Sequence, residues 1–160
     1  MLRKPLVIVA GQIQQISASD TLDAHIVEQE VISLTNDEAS IALVIGTPVY
    51  IDAANGCKRA QANASGTANV VGLVADASIT ASSSGAVITS GVLVATTAQW
   101  NTVAGTTGGL VAGTVYYLSD ATPGQLTATA PTTGGSYVAP IGTAISSTEL
   151  KLEVEPTILL

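Results

Sequence analysis

One histidine and one cysteine, His25 and Cys57, occur in the 160 residues. The chemistry such a pair performs is nucleophilic, a thiolate activated by an imidazole. No motif surrounds either residue, and Cys57 directly follows the turn dipeptide Asn55-Gly56. A semi-buried structural thiol and a surface or edge histidine are the readings these positions favour. One His and one Cys also fall short of the four ligands of a zinc site. Asp52-Ala53-Ala54-Asn55-Gly56 is a faint calcium-loop pattern without the acidic spacing or closing glutamate, and reads as a hairpin turn. Gly105-Thr106-Thr107-Gly108-Gly109 lacks the lysine and following helix of a phosphate loop, and reads as a flexible inter-module loop. Two carboxylates for glycoside hydrolysis can converge from distant strands. Here Asp37-Glu38 and the Glu149–Glu155 face look like solvated surface, and the aromatic platforms that hold sugars reduce to Trp100 and Tyr116-Tyr117. The expectation is a non-enzymatic protein with no catalytic, cofactor-binding or metal-binding residues, and no cofactor.

The material available to position these side chains is unusual. Phe is absent, Trp occurs once and aromatic residues make up 3%, so the core must be built from Val, Ile, Leu and Ala, which bury less area per residue than rings do. Much of the remainder is Ser, Thr, Gly and Asn, residues of turns and strand edges. The formal charge is −7, with 5 basic against 12 acidic residues. The cations sit as Arg3-Lys4, Lys58-Arg59 and Lys151, which make no basic stripe, so nucleic acid is not an expected partner. Mean hydropathy is +0.47, yet no apolar run approaches the ~20 residues that span a bilayer, so no membrane partner is expected either. Leu6–Ala10 is shorter than the about 7–15 residues of a signal-peptide core and reads as an N-terminal strand. The lone cysteine excludes an intrachain disulfide and suits synthesis in a cytoplasm.

The most informative pattern is a repeat. Gly46-Thr47-Pro48-Val49-Tyr50-Ile51-Asp52 returns 67 residues further on as Gly113-Thr114-Val115-Tyr116-Tyr117-Leu118-Ser119. Each copy leads through a Gly-centred turn and a small-residue strand to a second apolar strand with a central glycine, Val70–Val74 around Gly72 and Pro140–Ala144 around Gly142, 70 residues apart. Self-similar pairs of short strands predict a duplicated all-β unit. The expected fold is therefore all-β, a compact sandwich or barrel-like domain of two related short-strand modules. The divisions are an N-terminal arm and strands over 1–40, a first module over 41–95 and a second over 96–160.

Local signals fill in the elements. Strands are expected at Leu6–Val9, Gln12–Ile16, Ile26–Leu34, Ile41–Ile45 and Val49–Asp52. Asp20 is a possible helix cap, and Asn36-Asp37-Glu38 reads as a polar turn. Asn55-Gly56 tolerates the positive φ values of a type I′ hairpin turn, with Cys57–Ala62 as the return strand. Val70–Ala75 and a long strand Ala86–Ala95 follow, the latter with Gly91 marking a bulge or close backbone approach. Thr96 as N-cap, Ala98 and Gln99 as helix formers and Gly105 as terminator predict a short helix near Thr97–Thr102 that brings Trp100 back onto a sheet. Val115–Leu118, Gln125–Ala130 and Tyr137–Ala144 continue the second module. Glu149–Glu155 alternates charged with apolar residues, the mark of a strand with one wet and one buried face. The apolar Ile158-Leu159-Leu160 is either pinned in the core or covered by a neighbour. With the Phe-free core, it leads to the expectation of a homotrimer.

The run Gln99-Trp100, Gly108-Gly109-Leu110, Gly113–Ser119, Gly124-Gln125-Leu126-Thr127, Ala130-Pro131, Val138 and Ile141–Ile145 resembles a repeat of tailed-bacteriophage virion proteins, both small capsid-associated proteins and fibres. Lys4–Gln15 with Asp20-Thr21-Leu22 likewise resembles the openings of fibre-like chains. The resemblance implies a passive structural role and contributes no catalytic residues. With the short length, it implies a capsid decoration or cement protein on the capsid exterior, bound to the major capsid protein, with Arg3-Lys4 reaching the shell. The alternative it implies is a head-fibre, tail or fibre-associated component involved in host attachment.

Overall fold

Strands of two to eleven residues, many of them rich in β-branched side chains and punctuated by glycine and small polar residues, make up most of the regular structure described. The computed structural model describes residues 29–160 together with the strands at 6–9 and 12–15. In chain order the strands are β1 (Leu6–Val9), β2 (Gln12–Gln15), β3 (Glu30–Asn36), β4 (Leu43–Val44), β5 (Pro48–Ala53), β6 (Gly56–Arg59), β7 (Gly72–Val74), β8 (Ser78–Ile79) and β9 (Ser84–Val94). Helix α1 (Thr97–Ala104) follows, then β10 (Val115–Leu118), β11 (Leu126–Thr127), β12 (Tyr137–Val138), β13 (Pro140–Ala144), β14 (Glu149–Leu152) and β15 (Ile158–Leu159). The expected all-β fold is the one observed. Arg3-Lys4, the Asp20 cap and His25 lie outside the described residues.

Five strands close a small barrel in the order β9-β3-β6-β5-β7, with β7 returning to β9. All neighbours are antiparallel except β3 and β6, which pair in parallel through Thr35–Gly56 and Asn36–Cys57. β3 lies in the stretch 1–40 that the sequence sets apart, yet it is built into the barrel wall. Strand alternation decides what fills the interior. Leu34, Val49, Cys57, Val74 and Val87 point inward, where Leu43 and Ile79 of the small β4–β8 sheet join them. Their sequence neighbours Leu73 and Ile88 point outward, into a second core shared with the rest of the chain.

β9 belongs to both halves. Its first part pairs with β3 and β7; its last four residues, Gly91–Val94, pair with β14. Between the two lies an irregularity: Glu30 pairs with Ser90 and Val31 with Ile88, leaving Thr89 as the extra residue, while Gly91 takes φ +105°. The expected Gly91 irregularity is therefore a redirection of one strand from one sheet into the next. From β14 the sheet continues β13-β10-β11.

The duplication holds at the level of single hydrogen bonds. Pro48 pairs with Leu73 and Val49 with Gly72; in the second copy Val115 pairs with Thr143 and Tyr116 with Gly142. Gly46 N–H donates to Val74 O and Gly113 N–H to Ala144 O, both at 2.8 Å. Thr47 N–H donates to Val44 O and Thr114 N–H to Val111 O, both at 3.1 Å. Gly46 and Gly113 both have positive φ, +84° and +78°. Strand order matches as well, β6-β5-β7-β9 against β11-β10-β13-β14.

The copies differ in how they close. In the first, β3 bridges β9 to β6; in the second, α1 takes the corresponding place against β11. Thr96 accepts from Gln99 N–H while the Gln99 side chain accepts from Thr96 N–H, a complete capping box, and Gly105 ends the helix in the left-handed region. Trp100 is fully buried, donates Nε1–H to Thr148 O at 3.0 Å and lies over Gly46 of the first copy. One side chain thus fills the seam between the copies, as a helix at this position was expected to allow.

Several expected elements are shorter. Only Leu43–Val44 of Ile41–Ile45 and Leu126–Thr127 of Gln125–Ala130 form ladders. The alternation of Glu149–Glu155 holds for Leu150 and Leu152, which are buried, but Val154 is exposed: the ladder to β9 ends at Leu152 opposite Gly91, while backbone bonds to Ile141 and Pro140 of β13 continue. The hairpin at Asn55-Gly56 forms, but not as a type I′ turn. Asn55 alone takes positive φ (+61°), and Gly56 is already in β6. A Cβ on Gly56 would meet the Asp37 carboxylate, so a larger residue there must displace that side chain; no positive φ requires the glycine.

Candidate functional site

Among the described residues, the side chains singled out for their chemistry have structural posts. Cys57 points into the barrel with no exposed surface. Burial, helped by the charges of Asp37 and Glu38, pushes its thiol from the ordinary 9.0 up to about 11. A neutral buried thiol is a poor nucleophile. Its hypothetical partner His25 lies outside the described residues.

Asp37 and Glu38 are not the solvated pair expected. Glu38 Oε1 accepts from both the backbone N–H and Nε–H of Arg59, at 3.1 and 3.0 Å. Arg59 in turn lays its aliphatic stem under Gly124 of the second copy. Asn36, read as a turn residue, is fully buried. Its amide donates to Ile41 O and Ile79 O, both at 2.8 Å, and its Oδ1 accepts from Glu38 N–H. This tie across the barrel end was missed. The hint was Asn beside two acids at the end of an apolar run, a pattern that many ordinary turns share.

Asp52 forms an ion pair with Lys58 at 2.6 Å across the β5–β6 hairpin, and the lysine's hydrogen bond holds the carboxyl below its usual range. The calcium-like pattern is a hairpin. Gly105–Gly109 is anchored rather than loose: Asn101 Oδ1 accepts from Thr106 Oγ1 and from Gly109 N–H at 2.8 Å. Two of the candidate sugar platforms are withdrawn from the surface, and the third, Tyr117, is half-buried. Trp100 and Tyr116 have no exposed area, and Tyr116 Oη accepts from Val111 N–H. Among the described residues no cluster of three or more His, Cys, Asp or Glu is placed to hold a metal ion, and no helix is long and apolar enough to cross a membrane.

Several large apolar side chains, some of them on strands, face outward. On the outer face of the second sheet Val94, Ile145 and Val115 are 57%, 51% and 38% exposed. A shallow cleft of about 380 Å³ lies between Ile51 and the segment Gly66–Val71. Among the large apolar residues described, Ile158 of β15 is the most exposed at 63%, followed by Leu159 and Val111 at 60%. The segment 158–160 is thus neither buried in the core nor covered within the chain; it is held by its backbone to β12. Such surfaces bind other surfaces, through apolar contact and main-chain pairing. No protein-family model and no curated protein matches this chain.

Proposed function

We propose that the protein is a non-enzymatic structural component of a tailed-bacteriophage particle, a decoration or cement protein standing on the capsid exterior. Its partners are the major capsid protein and further copies of itself, as a homotrimer. One observation carries the reading. The residues on which the resemblance rests are the framework of the duplicated fold: Gly113 and Tyr116 set the β10–β13 register opposite Gly142, and Trp100 fills the seam. The shared features are those of a scaffold, and a scaffold with exposed apolar strand suits passive attachment. Binding to the expanded shell and not to the unexpanded one stabilises the former by mass action, with no covalent step.

The test is binding of purified protein to undecorated expanded capsids, together with its copy number in purified particles by quantitative gel. Saturable binding and hundreds of copies per particle are expected. A dozen copies or fewer, with adsorption to host cells and none to capsids, replaces the cement reading with that of a fibre or tail component.

A further inference from the structure

Among the described residues β15 is paired on one side only, with β12. Leu160 N–H donates to Ser136 O, and Gly135 N–H to Leu160 O. Bonded and non-bonded pairs alternate along an antiparallel ladder, so Leu159, opposite Tyr137, turns its N–H and C=O away from β12. Tyr137 follows the same alternation: its own N–H donates in the other direction, to Ala62 O. The outer edge of β15 therefore offers free backbone groups flanked by exposed apolar side chains, a template for another strand.

We infer that this edge is completed by the N-terminal hairpin of a second copy of the chain, so that copies join head to tail. β1 and β2 pair with each other and with no other described strand. β1 carries Leu6-Val7-Ile8-Val9, apolar along its whole length. Charge supplies the direction. Two of the five cations, Arg3 and Lys4, precede β1, and two glutamates, Glu153 and Glu155, precede β15. Parallel pairing with Leu6 beside Ile158 sets Arg3 beside Glu155. The 14 residues 16–29 that join the hairpin to β3 span up to about 50 Å when extended, enough to reach a neighbour. Among the described residues hairpin and edge are not joined within one chain, and the proposed joint lies between two copies. A head-to-tail contact of this kind closes into a ring when its rotation allows. The inference is independent of where the protein resides and does not require a capsid.

Two full-length variants separate donor from acceptor. Leu159→Pro removes the outward N–H of the edge and leaves the β12 bonds in place. Ile8→Pro does the same to the hairpin: in a two-residue hairpin the closing pair, here Val9 and Gln12, is bonded, which turns Ile8 outward. Light scattering at micromolar protein is expected to give the wild type a mass above 16.0 kDa, and each variant alone the monomer mass. A mixture of the two variants is expected to form a heterodimer of twice the monomer mass, since one retains a working hairpin and the other a working edge. A wild type that stays monomeric, or a mixture that stays monomeric while the wild type assembles, overturns the inference. So does assembly of Ile8→Pro at wild-type strength, which points to β15 pairing with β15. Charge reversal gives a readout that does not depend on proline. Arg3→Glu with Lys4→Glu is expected to weaken assembly several-fold at low salt, and Glu153→Lys with Glu155→Lys in the same chain to restore it. Failure of that restoration removes the parallel register from the inference.

Discussion

Gly72 and Gly142 do the same work in the two copies. A Cβ on Gly72 would lie 2.2 Å from Ile88 O, and one on Gly142 would lie 2.2 Å from Lys151 O. The obstruction is backbone, so neither neighbour can yield as a side chain would. Gly72→Ala and Gly142→Ala are each expected to cost about 1–3 kcal/mol, the range for forced overpacking, read as matching shifts in the urea midpoint. A neutral result at either position would mean that the two sheets are not held in the same register. Cys57 offers a second check at this scale. Its thiol titrates at about 11 in the folded protein against the ordinary 9.0, so the folded state retains a proton that the unfolded state releases. That contribution to stability is complete below pH 9.0 and is lost as pH rises through about 11. Wild type is expected to lose stability over this window more steeply than Cys57→Ala, by denaturant titration at each pH. Identical slopes would show that the thiol is not shielded. The inward placement of Cys57 was only half legible in the sequence, which put it beside a turn. Its depth follows from the parallel pairing of β3 with β6, two strands separated in sequence by two others, and no local pattern reports that.

Element by element, legibility follows range. α1 could be read because its signals are neighbours: Thr96 as cap, Gln99 three residues on, Gly105 at the end. Thr96→Ala removes the hydroxyl that accepts from Gln99 N–H, the side-chain half of the capping box, and is expected to cost about 1 kcal/mol. Trp100 fluorescence reports it directly, because the single tryptophan sits on this helix and in the seam. An unchanged midpoint would show that packing of Trp100 alone holds the helix. The repeat was readable because both copies retain the glycine and the apolar residue opposite it. The extent of β4 and β14 was not, since β4 ends with its two-residue partner β8 and β14 ends where β9 leaves it at Gly91, not where their own propensity does. Val154 continues the alternation of β14 but lies beyond Leu152, the last residue paired with β9. The outward apolar strands were foreseen only at Ile158-Leu159-Leu160, where the sequence left open whether core or neighbour would cover them.

For the molecule as a whole, the shared strand is decisive. β9 lines the barrel with Val87 and the second sheet with Leu93, and Trp100 packs on Gly46 across the seam. Neither copy can lose its structure without removing a wall of the other. Unfolding is therefore expected to be a single transition in which two probes coincide: Trp100 emission for the second copy and Cys57 thiol labelling for the first. Separate midpoints would make the copies independent units. The candidate surface shows the limit of sequence at this scale. Residues that looked chemical, such as Trp100, Tyr116 and Glu38, are tied into the framework, and their burial depends on contacts between copies that only the fold creates.

Sharing β9 also sets a timetable. β3 is among the first elements of the barrel in the chain, yet its long partner spans residues 84–94, so the barrel wall stays open until roughly fifty intervening residues have been ordered. A chain dominated by such distant pairings folds slowly, on the scale of milliseconds to seconds. During that interval the unpaired flank of β3 is sticky. Growth temperature and synthesis rate are then expected to govern yield more than final stability does, and a newly made chain should profit from a chaperone that shields β3 until β9 arrives.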